Sequence, residues 1–262
     1  MFIKDITDTL DSAFPQRWQE DFDNSGLQVG EVCRQCSGVM ICVDVTPQIV
    51  VEAYNRGCNL IVSHHPLIFH PLKRITGYDR VDRAIVHAIK NDITIYSCHT
   101  PVDNAPQRGV SWRMAQMLSL TDIAPLESRT DEHIGSGIIA SLPRPMTPVE
   151  LVEHIKATFG TTTARCSDLA QAPETITRIA LCGGAGSFLI PQAIARGAQA
   201  FICADNRHNH FIDYLSRIFL VDIGHYESEQ CTKQIFYQII TEKFPNFAVC
   251  YSELENNPIN YL

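Results

Sequence analysis

No apolar stretch among the 262 residues approaches the roughly 20 needed to cross a bilayer as a helix, so a membrane is not an expected partner. No dense run of Lys or Arg occurs, and Lys+Arg number 21 against 29 Asp+Glu, for a formal charge of −8. Affinity for phosphate backbones comes from clustered cations, so nucleic acid is not expected either. The opening MFIKDITDTLDSAF carries acids where a secretion signal has its apolar centre, which predicts no export and a cytoplasmic protein. Cys33 and Cys36 form a C-x-x-C, but no second one exists to complete a zinc ribbon. Several of the other cysteines, such as Cys42 in VMICVD and Cys182 in IALCGG, sit in apolar runs and read as small buried hydrophobes. A G-x-x-x-x-G-K-[ST] phosphate loop is missing as well.

What remains is an ordinary globular composition, 45% hydrophobic and 19% charged. Six short apolar runs read as buried strands: 38–44, 59–65, 93–99, 178–184, 200–205 and 218–225. They are continuous rather than alternating, as strands covered on both faces should be. Helices intervene. Thr46-Pro47 opens one and Gly57 closes it. Val81, Ala84, Ile85, Ala88 and Ile89 form a helical stripe that stops at Asn91. Thr147-Pro148-Val149-Glu150 is a capping-box start for a helix through Phe159. A last helix follows Glu229, with Ile235, Phe236, Ile239 and Ile240 inward. Alternation of this kind predicts α/β layers about mixed, largely parallel sheets.

The chain also repeats itself. GVMICVDVTPQIVVEAYNRG (38–57) aligns with RIALCGGAGSFLIPQAIARG (178–197) at an offset of 140, matching Cys42 with Cys182, Ala53 with Ala193, Arg56 with Arg196 and Gly57 with Gly197. At an offset of 126, His99-x-x-x-Asp103 echoes His225-x-x-x-Glu229. Two related α/β lobes follow, with approximate boundaries at 1–125 plus 226–262 and at 126–225. The Pro-rich SLPRPMTP (141–148) reads as a break inside the second lobe.

Ligand sites of open α/β sheets lie beyond the carboxyl ends of the strands. Those ends are Asp44, His64-His65, His99, the Gly183–Gly186 turn, Asp205 and His225, and three of the six carry histidine. A helix beginning near 225 puts His225 and Glu229 on one face. Asp103 follows His99 at the same interval. His64, His65, Asp103, His225 and Glu229 make a mixed N/O donor set suited to Zn²⁺, Mn²⁺, Fe²⁺, Ni²⁺ or Co²⁺. Five ligands exceed the three plus water of a single catalytic zinc and fit two divalent ions better. His70, His87, His133 and His154 read as isolated surface or helix residues. His208 and His210 read as a solvated loop or as groups facing substrate. The Gly183–Gly186 turn reads equally as an anion-binding helix start or as a tight connection.

These residues resemble the NIF-three-like (YbgI-like) family, also known as GTP cyclohydrolase 1 type 2 homologues. The matching pieces are DFDNSGLQVG (21–30), VDVTPQIVVEA (43–53), NLIVSHHPLIF (59–69), IYSCHTPVD (95–103), LCGGAGSFL (181–189) and DIGHYESEQ (222–230), in the family's order. Pro101 stands where the family usually has Asn, and CADNRHNH replaces another family segment. The resemblance implies two α/β lobes with two divalent ions in the cleft between them, in a homo-oligomer built as a hexameric ring. It puts the metal ligands on His64, His65, Asp103, His225 and Glu229, and gives His99 a catalytic place either behind those ligands or facing substrate. The expected activity is metal-dependent hydrolysis of a small-molecule substrate that the sequence does not specify. His99 or Glu227 would move a proton. A non-catalytic metal-binding scaffold or partner-binding protein is the alternative.

Overall fold

In the computed structural model, which describes residues 1–128 and 134–261, the chain divides into two compact units. One comprises Met1–Val102 with Thr232–Asn256, the other Asp103–Cys231 with Asn257–Leu262. The first unit opens with α1 (Ile3–Ala13), which buries Ile3, Ile6 and Leu10 at helical spacing. Then come β1 (Gly26–Val29), β2 (Val39–Cys42), α2 (Pro47–Asn55), β3 (Leu60–Ser63), α3 (Arg80–Lys90) and β4 (Thr94–Ser97). The second contains α5 (Val110–Met117), reached through the short α4 (Thr100–Asp103), and continues through β5 (Thr121–Pro125), β6 (Ile138–Met146) and α6 (Pro148–Phe159). β7 (Arg165–Cys166), β8 (Ile176–Leu181), α7 (Ile190–Ala195), β9 (Ala200–Cys203), α8 (His208–Asp213), β10 (Phe219–Asp222) and α9 (His225–Glu229) follow. The chain then returns to the first unit as α10 (Thr232–Lys243) and β11 (Val249–Tyr251).

Each unit is an α/β layer about a mixed sheet with a parallel centre. The first sheet has the order β1-β4-β3-β2-β11, the second β5-β6-β8-β9-β10-β7. The six runs read as strands are β2, β3, β4, β8, β9 and β10, which pair in parallel as two sets of three. The added strands lie mostly outside them: β1, β5, β6 and β7 are antiparallel and β11 is parallel to β2. Continuous apolar runs mark only strands covered on both faces, so these went unread.

The helix punctuation follows the expected chemistry. Thr46 Oγ1 accepts the Ile49 N–H at 3.3 Å, and Gly57 takes φ +71° past the end of α2. Thr147 and Glu150 form the capping box of α6. Two expectations are corrected. Ile89 is 60% exposed, because position 89 falls at the rim of the arc that buries Ala84, Ile85 and Ala88. The stretch 141–146 is strand rather than a break: β6 pairs Ser141 with Arg178 and Met146 with Ile176, with an irregularity between. Pro143 and Pro145 are exposed and fall in that irregular stretch, where the ladder asks no N–H of them.

The internal repeat is a repeat of hydrogen bonds. Val39 faces Leu60 between β2 and β3, and Ile179 faces Ala200 between β8 and β9, both pairs 140 residues apart. The Cys58 N–H donates to Ala53 O and the Ala198 N–H to Ala193 O, each at 2.9–3.0 Å. The third strands continue the correspondence: the Cys98 N–H bonds Ser63 O, and the Ile223 N–H bonds Cys203 O. Apolar cores of Met40, Ile61, Ile85 and Ile95 in one unit and of Ile139, Ala180, Phe201 and Leu220 in the other hold these frames.

Candidate metal centre

Two strand ends of the first unit, those of β3 and β4, gather three imidazoles. The ladder between β2 and β3 continues past the strands, with the His64 N–H on Cys42 O and the His65 N–H on Val43 O. Pro66 keeps His65 out of the helical region, so the backbone breaks away there. Ring centroids lie 4.8 Å apart for His64 and His65, 5.2 Å for His64 and His99, and 5.4 Å for His65 and His99. One ligand atom from each can lie within 4.8 Å of those of the other two.

Each ring is anchored through Nδ1. His64 Nδ1 lies 3.2 Å from the Cys98 carbonyl, His65 Nδ1 3.0 Å from Asp44 Oδ1, and His99 Nδ1 2.8 Å from Asp23 Oδ1. A carbonyl or carboxylate oxygen only accepts, so each Nδ1 carries a proton toward its acceptor and the ring is oriented with Nε2 on its far side. This is how metal-binding histidines are oriented by their outer partners. The Asp23 side chain is fully buried and also accepts from Thr100 Oγ1, the Thr100 N–H and Ser25 Oγ. Burial works against its ionisation, yet His99 and the hydroxyl donors outweigh it and hold the carboxyl well below the usual carboxylate range. Asp44 is lowered in the same way, burial opposing and His65 prevailing.

The second unit offers oxygens. α9 begins at His225, and His225 Nε2 lies 3.0 Å from Glu229 Oε2, as the four-residue spacing predicts. His225 Nδ1 is anchored 2.7 Å from Asp205 Oδ2. Asp103, at the end of α4, and Glu229 present oxygens within 4.8 Å of each other. The glycine turn serves this arrangement. Gly184 takes φ +62°, and a Cβ there would stand 2.1 Å from Glu229 Oε1. Its N–H donates to Ser228 Oγ at 2.9 Å, and Ser228 Oγ donates to the His225 carbonyl at 2.8 Å. The turn is therefore a close connection that admits α9, with the Gly184 N–H committed to Ser228. The nearby Cys182 thiol is pushed well above its ordinary value by burial, with Cys203, Asp103 and Glu229 adding to it, so it stays neutral.

Glu227, weighed as a proton carrier, is 92% buried and accepts from Asn257 Nδ2 at 2.7 Å. His208 and His210 lie on α8 rather than in a loop, and His210 Nδ1 accepts the Arg207 N–H. His70 is exposed, His87 and His154 half-buried; His133 lies outside the described residues. Cys36 is buried while Cys33 is exposed. Sequence reasoning named Asp44 and Asp205 as strand ends without giving them a partner, and gave Asp23 no role. Their signal was a carboxylate at a strand end or in the motif 21–30, each awaiting an imidazole that only the fold identifies.

The His64, His65 and His99 rings, each held through Nδ1 by a fixed acceptor, form a group that could hold a divalent metal ion. No helix among the described residues is long and apolar enough to cross a membrane. A family model described as Duf34/NIF3 (NGG1p interacting factor 3) matches residues 1–258. A Clostridium perfringens protein named GTP cyclohydrolase 1 type 2 homolog is 31% identical over 231 residues, 87% of each chain. A Lactococcus lactis protein of the same name is 30% identical over 264 aligned residues, 98% of each chain. Among solved structures, a Staphylococcus aureus hypothetical protein matches with TM-score 0.91 and 25% identity, covering 100% of this chain and 99% of the other. A Bacillus cereus protein related to NIF3 shares the fold with TM-score 0.91 at 23% identity, with the same coverage.

Proposed function

The chain belongs to the Duf34/NIF3 family, and from that premise we propose that it is a metal-dependent hydrolase holding two divalent cations through His64, His65, Asp103, His225 and Glu229. The observation that carries this reading is the anchoring of His64, His65 and His225 through Nδ1 to Cys98, Asp44 and Asp205. Bound divalent ions polarise an electrophile and bring the deprotonation of water within reach of neutral pH. The residues around them do the rest. His99, held by the buried Asp23, keeps its Nε2 available to take or deliver a proton. Gly184 and Ser228 fix the first turn of α9, which carries His225 and Glu229. The relatives' name directs the first assay to opening of a purine-type ring, with amides and phosphoesters beside it. Kinship also leads us to propose assembly as a homohexameric ring, which light scattering would report as six times the chain mass.

The test is metal analysis of protein purified without chelator, followed by assays with Mn²⁺ or Zn²⁺ against GTP and a panel of amides and phosphoesters. About two equivalents of metal per chain and turnover that falls to background in His65→Ala are expected. Metal well below one equivalent overturns the metal reading. Full metal occupancy with no turnover in any metal form overturns the hydrolase and leaves a metal-binding scaffold.

A further inference from the structure

The segment DFDNSGLQVG (21–30) does more than hold His99. Asn24 Nδ2 donates to the Ile68 carbonyl at 2.6 Å, and the Ile68 N–H donates to Gln28 Oε1 at 3.1 Å. Gln28 Nε2 in turn donates to the carbonyls of Asn24 and Gly26, at 2.6 and 3.2 Å. Both backbone polar groups of Ile68 are thus taken by this one segment. The consequence falls on the next residue. The Phe69 ring stands 6.1 Å from the His99 ring at 72°, 5.0 Å from the His70 ring at 80° and 6.4 Å from the Phe22 ring at 45°. Phe69 is nonetheless 39% exposed and Phe22 64%.

Two exposed phenyl rings at the edge of an imidazole cluster, on backbone fixed by two side-chain amides, form a preorganised apolar π-face. Core packing does not account for it, since much of each ring stays in water. We propose that Phe69, flanked by Phe22, is the specificity-determining face on which a planar heteroaromatic ring of the substrate stacks, beside His99. This rests on the reading of the histidine cluster as the reaction centre. The aromatic quadrupole favours offset or edge contacts with another π-system, and every planar heterocycle has a face to offer. A saturated sugar or an aliphatic chain would gain only area.

The test is equilibrium dialysis of the full-length protein, with metal content measured on the same samples, using guanosine and a pterin as planar probes and ribose as the probe without a planar ring. Wild type should bind the planar probes and not ribose. Phe69→Leu, which keeps an apolar side chain but loses the π-face, should weaken planar binding by about 5- to 100-fold, and Phe22→Leu by less. Metal content and thermal midpoint should not change. Planar binding unaltered in Phe69→Leu, ribose bound as well as guanosine, or no planar probe bound by metal-replete protein would each overturn the proposal. A changed oligomeric mass in the Phe→Leu variants with unchanged binding would also overturn it, assigning the face to a second copy. Metal-free wild type would instead count against the metal centre, and Phe69-dependent planar binding in that protein would still support the stacking face.

Discussion

Residues 39–63 and 179–203 share a strand register and a helix stop, yet they end in different chemistry. In the first unit the ladder runs on past the strands, with the His64 N–H on Cys42 O and the His65 N–H on Val43 O. In the second the Ala204 N–H reaches Gly184 O, two positions beyond the equivalent of Cys42. The first frame therefore ends in paired imidazoles with Asp44 behind one of them. The second ends in a glycine turn with Asp205 turned to His225. These bonds are all made by backbone groups, so the tip side chains can differ without cost to the sheet. That is why strand ends and the loops beyond them carry function on a common scaffold.

The sharpest break in the comparison is at Gly184. Alanine there meets the strain of a left-handed backbone, about 1–2 kcal/mol, and crowding against Glu229, about 1–3 kcal/mol more. Gly184→Ala should lower unfolding stability in urea by about 2–5 kcal/mol and reduce bound metal. A loss under about 1 kcal/mol would mean that the turn yields and that α9 does not depend on it.

Next in size are the carboxylates behind the imidazoles. Asp44→Asn and Asp205→Asn should each weaken metal binding by about 10- to 100-fold, read by chelator competition. Similar losses would make the two carboxylates functional equivalents in otherwise different tips. A loss confined to Asp44→Asn would leave the second unit's histidine independent of its anchor.

Much of this was legible in the sequence. The parallel strands showed themselves because burial on both faces leaves unbroken apolar runs, and the helix ends because Thr46, Thr147 and Gly57 satisfy or release backbone groups locally. The His225–Glu229 spacing carried its own geometry. The outer strands β5 and β6 were not legible, since β5 is exposed or half-buried throughout and the exposed second half of β6 carries prolines that mimic a loop. Neither was Asp23, whose meaning lies in His99, 76 residues away. The Gly184 turn stayed ambiguous because a glycine requirement can arise from a ligand or from a neighbouring side chain, and only the position of Glu229 decides.

A smaller contrast concerns two equivalent arginines. Arg56 pairs with Glu52 at 3.0 Å, whereas Arg196, with Gln192 at the matching place, donates to the carbonyls of Pro125 and Leu126. Burial works against ionisation of Glu52, but Ser252, the Glu253 N–H and Arg56 hold its carboxyl below the ordinary 4.5. A lowered folded value means the stabilisation is present above about pH 4.5 and is lost as pH falls through the folded value. Glu52→Gln, which copies the second unit, should cost about 1–2 kcal/mol at pH 7. The gap should narrow as unfolding is measured below pH 4.5. A penalty independent of pH would mean that Glu52 acts by shape rather than by charge.

The finest test concerns the helix stops themselves. Gly57 and Gly197 take φ +71° and +75°, and a Cβ on either would meet nothing within 4 Å. Each Gly→Ala change therefore isolates backbone strain from crowding, which Gly184 combines. The left-handed conformation costs an alanine about 1–2 kcal/mol, and the reduced freedom of the unfolded chain returns about 0.4–1 kcal/mol. Each variant should lose about 1 kcal/mol, and Asn, which tolerates this region, should lose less. Since the bonds around the two stops match, from Arg56 and Arg196 through Cys58 and Ala198, the two losses should agree within about 0.5 kcal/mol. A larger difference would show that the frames match in hydrogen bonding but not in energy, because one stop is supported by contacts that the other lacks; Ser37 Oγ on the Gly57 carbonyl, at 2.7 Å, is the first such contact to remove.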